Sequence, residues 1–162
     1  MHPIIRREAR VIVVDERHQV LLFQGVAPHD ETARIWITVG GAVESTEDLR
    51  AAASRELREE TGFVVPPADL GHPVATTAGD WVFRGKVFHS DVAFFWLETQ
   101  NFEPSLDGHT GAERELLLGW RWWALDKLRS SGETVYPVEL GELVERLLAE
   151  GPPGQPARLT WT

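Results

Sequence analysis

The 162-residue chain contains no cysteine. That absence excludes a disulfide framework, a thiol nucleophile and a thiolate metal site, and it fits a reducing compartment. Also missing is any apolar run long enough to cross a bilayer. The opening segment MHPIIRREAR carries charges where a signal peptide has its apolar stretch. A soluble, cytoplasmic protein is the expectation. Clusters of Lys and Arg are lacking as well, and the formal net charge is −9 with a pI near 5.1. This balance argues against nucleic acid or a membrane surface as the main partner. A small anionic substrate is still compatible, provided that a cation neutralises the acidic residues it meets. There is no G-x-S-x-G, P-loop or dinucleotide fingerprint, and the six histidines show no ligand spacing.

What is present describes one ordinary globular domain, with 43% hydrophobic and 25% charged residues. Neither repeats nor an internal linker are visible. Residues 4–14 and 20–23 are rich in Ile, Val and Leu and flank the polar turn Asp15-Glu16-Arg17-His18, the pattern of a β-hairpin. A short strand is expected over Ile35 to Val39. The clearest helix is expected from Ser45 to Thr61, with Ser45 as N-cap, Asp48 three residues on, and Gly62 as the stop. Leu49, Ala53 and Leu57 would form its buried stripe. Strands are expected at 74–77, 81–88, 92–97 and 115–123. A last helix over Pro137 to Glu150 would bury Leu140, Leu143, Val144, Leu147 and Leu148. Residues 1–150 then form a single domain, and 151–162, opening with Gly151-Pro152-Pro153-Gly154, an irregular tail. Strands alternating with a few helices imply a mixed α/β fold with helices on both faces of a sheet.

Arg55-Glu56-Leu57-Arg58-Glu59-Glu60 lies in the last turns of the first helix. At about 100° per residue, Glu56, Glu59 and Glu60 occupy an arc of roughly 100° on one face. Three carboxylates so placed repel one another, and the helix C-terminus repels them further. A hard divalent cation such as Mg²⁺ offsets that repulsion through oxygen ligands. Gly40-Gly41 just before the helix lets backbone approach a ligand closely, and Arg55 can pin a carboxylate with a paired hydrogen bond. A plain solvated acidic face is the competing reading.

Gly41, Glu47, Arg55, Glu56, Leu57, Glu59, Glu60, Gly62 and Phe63 match every position of G-x5-E-x7-R-E-U-x-E-E-x-G-U, where U is apolar. Seven fixed residues at frequencies near 7% give a chance match on the order of 10⁻⁸ per start point. The segment thus resembles the signature of the Nudix hydrolase family, although Val39 stands where the family often has proline. The resemblance implies an α/β/α sandwich with a mixed sheet, and Mg²⁺ (or Mn²⁺) held by Glu56, Glu59, Glu60 and the carbonyl of Gly40. Arg55 and Glu47 would hold those carboxylates in place. It also implies water attack at phosphorus, cleaving a phosphoanhydride bond in a nucleoside diphosphate linked to another moiety. Candidates for a general base from a later loop are Glu113 and Glu115.

Seven tryptophans include Trp120, Trp122 and Trp123, which are expected to pack the sheet with alternate side chains on opposite faces. Trp36, Trp81 and Phe83 are further candidates for stacking a base. No coenzyme A pattern is visible at Leu21-Leu22-Phe23-Gln24, nor are post-box proline and tyrosine markers at Ala75-Thr76-Thr77-Ala78. Nucleoside triphosphates, oxidised nucleotides, nucleotide sugars and ADP-ribose all stay open as substrates. Homodimers are common in the family, but the chain carries no self-association signal. The alternative function is a catalytically inactive Nudix-like module that senses a nucleotide metabolite.

Overall fold

A computed structural model describes residues 2–111 and 116–161. Its framework is a mixed sheet of strands β1 (Ile4–Val14), β2 (Gln19–Ala27), β3 (Asp30–Ala42), β4 (Ala75–Phe83), β5 (Lys86–Glu98), β6 (Leu117–Ala124), β7 (Val135–Tyr136) and β8 (Ala157–Arg158). The order across the sheet is β6-β2-β3-β1-β5-β4-β8, with β7 beside β3. At its centre β1 runs antiparallel to β3 and parallel to β5, from Ile4 opposite Phe88 to Val14 opposite Glu98. Helix α1 (Leu49–Thr61) packs on one face, and α2 (Leu125–Ser130) and α3 (Leu140–Glu150) on the other. This is the α/β/α sandwich expected from the sequence.

Strand alternation divides the core in two. Val11, Val13, Leu21, Phe23 and Phe95 point to the α1 side, where Ala53 and Leu57 meet them. Ile12, Val14, Leu22, Phe94 and Trp123 point to the other side, against Leu140, Leu143, Val144 and Leu147 of α3. A side chain buried as completely as Leu57 contributes about 1.5–3 kcal/mol, so α1 is fixed to the sheet mainly by this stripe. Leu49, at the start of the stripe, is only partly buried.

Several boundaries differ from the sequence expectations. Helix α1 starts at Leu49, not Ser45, because the Asp48 carboxylate caps it by accepting the Ala51 N–H at 2.8 Å. The preceding residues close a turn in which Glu47 N–H donates to the Glu44 carbonyl and Glu47 Oε1 accepts from Glu44 N–H. Gly62 stops the helix in the left-handed conformation (φ 78°), as expected. The short strand at 35–39 extends over Asp30–Ala42, and the stretches between 74 and 97 form a hairpin turning at Arg84-Gly85. Helix α2 and strand β7 had no counterpart in the sequence reading, and α3 begins only at Leu140.

The segment after 150 is also less irregular than its glycines and prolines suggest. Ala157 and Arg158 pair in parallel with β4, Leu159 is buried, and the Trp161 indole sits against Gly79 and donates Nε1–H to the Asp80 carbonyl at 3.0 Å. The open edge of β4 supplies hydrogen-bond partners, and Gly79 supplies room for the ring; local propensity is overridden by both. Among the described residues, no helix is long and apolar enough to cross a membrane.

Candidate active site

The end of β3 meets the C-terminal half of α1 at two glycines, Gly40 and Gly41. Gly40 adopts φ 146°, and a Cβ there would lie 2.4 Å from the Ala9 carbonyl oxygen and 2.6 Å from Arg10. A Cβ on Gly41 would lie 2.7 Å from Glu56 Oε1. The glycine pair is thus the condition for carboxylates to lie directly on backbone. Glu60 Oε2 uses this proximity, accepting the Gly40 N–H at 3.1 Å. Glu56 and Glu60 are buried, while the Glu59 side chain is 28% exposed.

Arg55 organises the rest. Its Nε and Nη2 donate to the two oxygens of Glu47 at 2.7 and 2.9 Å, a paired interaction. Nη1 donates to both Glu56 Oε1 and Glu59 Oε2 at 3.1 Å, and Nη2 also reaches the Ala42 carbonyl at 2.9 Å. Hydrogen bonding to Glu47, ahead of the opposing effect of burial and the attraction of Glu56, Glu47 and Glu59, holds the guanidinium more firmly protonated than usual. The hydrogen bond from Arg55 likewise keeps the Glu47 carboxyl below the ordinary carboxylate range. The box therefore works as a clamp, with one cation gathering three carboxylates and the end of β3.

The donors suit a hard divalent cation chemically, since all are carboxylate or carbonyl oxygens. Among the described residues, no three acidic or imidazole side chains form a closed metal cage. The carboxylates turn to Arg55 and the Gly40 amide, which are the partners that a cation would compete with. Of the predicted site residues, Gly40, Glu47, Arg55, Glu56, Glu59 and Glu60 are brought together here. Glu113 and Glu115 lie outside the described residues.

Three contributors had escaped the sequence reading. Arg10, opposite Gly40 in the β1–β3 register, donates from Nη1 to the Thr38 carbonyl at 2.8 Å and from Nη2 to Glu8 at 2.9 Å. Burial raises the Glu8 pKa, but Arg10, a hydrogen bond with Ser90, and Arg6 outweigh it and keep the carboxyl below its usual range. The signal for both was strand parity: Glu8 and Arg10 share a face of β1 with apolar Ile12 and Val14. His109, the third, is buried, and its Nε2 donates to the Glu60 carbonyl at 2.8 Å. With Ser105 N–H on the Thr61 carbonyl at 2.8 Å, it satisfies the end of α1. Of the aromatic candidates, Trp123 packs edge-on against Trp36 in the core at 5.1 Å, and Trp122 Nε1 donates to the Phe102 carbonyl. Trp81 stacks on Phe88 at 4.5 Å.

A family model described as NUDIX domain matches residues 5–147. The chain belongs to the NUDIX family. The Nudix fold recurs in solved structures at low identity. The MutT protein of Methanosarcina mazei Go1 superposes with a TM-score of 0.65 at 19% identity, over 94% of this chain and 99% of that one. The NUDIX domain of Shewanella oneidensis NrtR, solved with ADP ribose, gives 0.63 at 17% identity over 91% and 90%. An ADP-ribose pyrophosphatase from Streptococcus suis gives 0.58 at 15% identity over 96% and 98%. Nudix hydrolases generally use divalent metals, which agrees with the oxygen-only donor set of this member.

Proposed function

We propose that this Nudix hydrolase cleaves a phosphoanhydride bond in a nucleoside diphosphate derivative, with water attacking phosphorus. The observation that carries this reading is the Arg55 clamp on an unbroken set of box carboxylates, buried against Gly40 and Gly41. When bound, Mg²⁺ or Mn²⁺ supplies Lewis-acid charge that reconciles an acidic site with an anionic substrate. Glu56, Glu59, Glu60 and the Gly40 carbonyl are the groups that would hold it. Arg55, itself held by Glu47, keeps Glu56 and Glu59 aimed. Gly40 and Gly41 keep the floor of the site free of side chains, so that phosphate oxygens can approach the backbone. Glu113 and Glu115 are proposed as general-base candidates. Structural relatives solved with ADP ribose, or named for acting on it, support a nucleoside diphosphate linked to a second moiety as the substrate class.

The test is product release from a panel of nucleoside triphosphates, nucleotide sugars, dinucleoside polyphosphates and ADP-ribose, with and without Mg²⁺. Metal-dependent cleavage of one compound well above the others is the expected result. Binding of nucleotide and metal with no cleavage of any compound would favour the sensor reading instead.

A further inference from the structure

We infer that Arg10 binds substrate, donating to a phosphate oxygen of the phosphoanhydride at the Gly40 end of β3, from the face of the sheet away from α1. This rests on the hydrolase reading above. A diphosphate entering this site meets Glu47, Glu56, Glu59 and Glu60. The nearest cation on their own side, Arg55, has nothing left to offer. Its five N–H groups are all spent on Glu47, Glu56, Glu59 and the Ala42 carbonyl.

Arg10 is differently placed. Within the described residues it makes two hydrogen bonds, to the Thr38 carbonyl and to Glu8, and its Nε–H makes none. Its side chain is 18% exposed. It stands opposite Gly40, whose missing Cβ is what leaves room for the Arg10 stem, and Gly40 N–H is the group that holds Glu60. A guanidinium anchored at both nitrogens has little rotamer freedom to lose on binding, which is what a phosphate fork requires.

Folding stability alone does not explain the residue. A buried Arg–Glu pair on a sheet face is typically no more stabilising than apolar side chains of similar volume. Ile12 and Val14 show that this face of β1 accepts such side chains completely.

The experiment measures binding of methylenediphosphonate, whose P–C–P bridge water does not cleave, by calorimetry in Mg²⁺. It is paired with steady-state kinetics on the best substrate of the panel. The double variant Glu8→Gln/Arg10→Gln avoids leaving a lone buried carboxylate, and Arg10→Lys keeps the charge without the fork. We expect the double variant to weaken the analogue by about 10- to 100-fold, the loss of one charge-assisted contact, and to raise KM in step with a much smaller change in kcat. Arg10→Lys should recover part of the loss. On wild-type protein, which removes any question of folding, the Arg10 Nε–H resonance should shift on titration with the analogue. Unchanged affinity in a folded double variant, or an unmoved Arg10 resonance at saturation in a protein that cleaves its substrate, would overturn the inference and leave the hydrolase reading standing. Failure of the wild type to cleave any phosphoanhydride would bring down both.

Discussion

Replacing Arg55 by Met tests whether the clamp is structural as well as chemical. The side chain keeps its volume and loses its charge. Glu47 then loses a paired, charge-assisted interaction in which it is only 13% exposed, and such bonds contribute about 1.5–3 kcal/mol. Glu56 and Glu59 now share one Nη1 at 3.1 Å each, so the bonded oxygens are at most about 6 Å apart; without the cation they repel by roughly 3 kcal/mol at an effective dielectric of 20. Glu59, at 28% exposed, can swing partly into solvent and relieve some of this. The expected net loss is about 3–5 kcal/mol, the range found for breaking a partly buried ion network. Urea denaturation at pH 7 measures it, as a midpoint shift of about 2 M. Adding Mg²⁺ should restore part of the loss, because a cation can take over from the guanidinium. There is also an acid signature. The folded Glu47 pKa lies below its ordinary value of 4.5, so its contribution is fully present above that value and is lost as pH falls through the folded one. In the variant this limb should flatten. A loss below about 1 kcal/mol at pH 7 would refute the clamp.

Glu59→Gln should lower turnover by at least about 10²-fold with little change in melting temperature, since the residue is the most exposed of the three; equal activity would rule out its role at the metal. Mg²⁺ or Mn²⁺ should raise the melting temperature of the wild type by several degrees at about 100 times its dissociation constant, read by scanning calorimetry. Gly40→Ala should cost more than about 2 kcal/mol in urea denaturation, because the new Cβ meets the Ala9 carbonyl at 2.4 Å in a left-handed-side conformation. Gly119→Ala, with nothing within 4 Å, should cost under about 1 kcal/mol and serves as control. Glu8→Gln should flatten the acid limb of a pH–stability curve below about 4.5, since the wild-type carboxyl titrates below its ordinary range and its contribution disappears as pH falls.

The site was legible where chemistry is encoded by spacing within one helix. Glu56, Glu59 and Glu60 declare themselves because no folding advantage follows from putting them together, and Arg55 and Glu47 follow at fixed offsets. Arg10 and Glu8 were harder to see, because their meaning depends on which face of β1 is buried and on the register that sets Arg10 opposite Gly40. His109 lies far along the chain from Glu60, and only the folded loop brings its ring to the helix end. The fold was legible in its strands and two long helices, whose apolar periodicity is strong. Short pieces such as α2 and β8 escaped, since two to six residues hold too little periodicity and are decided by the edge or groove they land on.

The pairing of β1 with β5 has a consequence for how the chain reaches its native state. Because the two strands are parallel, every contact between them, from Ile4–Phe88 to Val14–Glu98, closes a loop of 84 residues. The contacts of β1 with β3 close loops no longer than that between Glu8 and Ala42. Loop-closure entropy favours the shorter set by about 1 kcal/mol. The first 62 residues hold β1, β2, β3 and α1, and with them the whole Arg55 clamp and its glycines. During synthesis these elements can assemble early, with β1 still lacking its neighbour on one side, and that bare apolar strand must wait for β5 to emerge. The slow step of folding is therefore placed away from the clamp, at the seam where β5 joins β1.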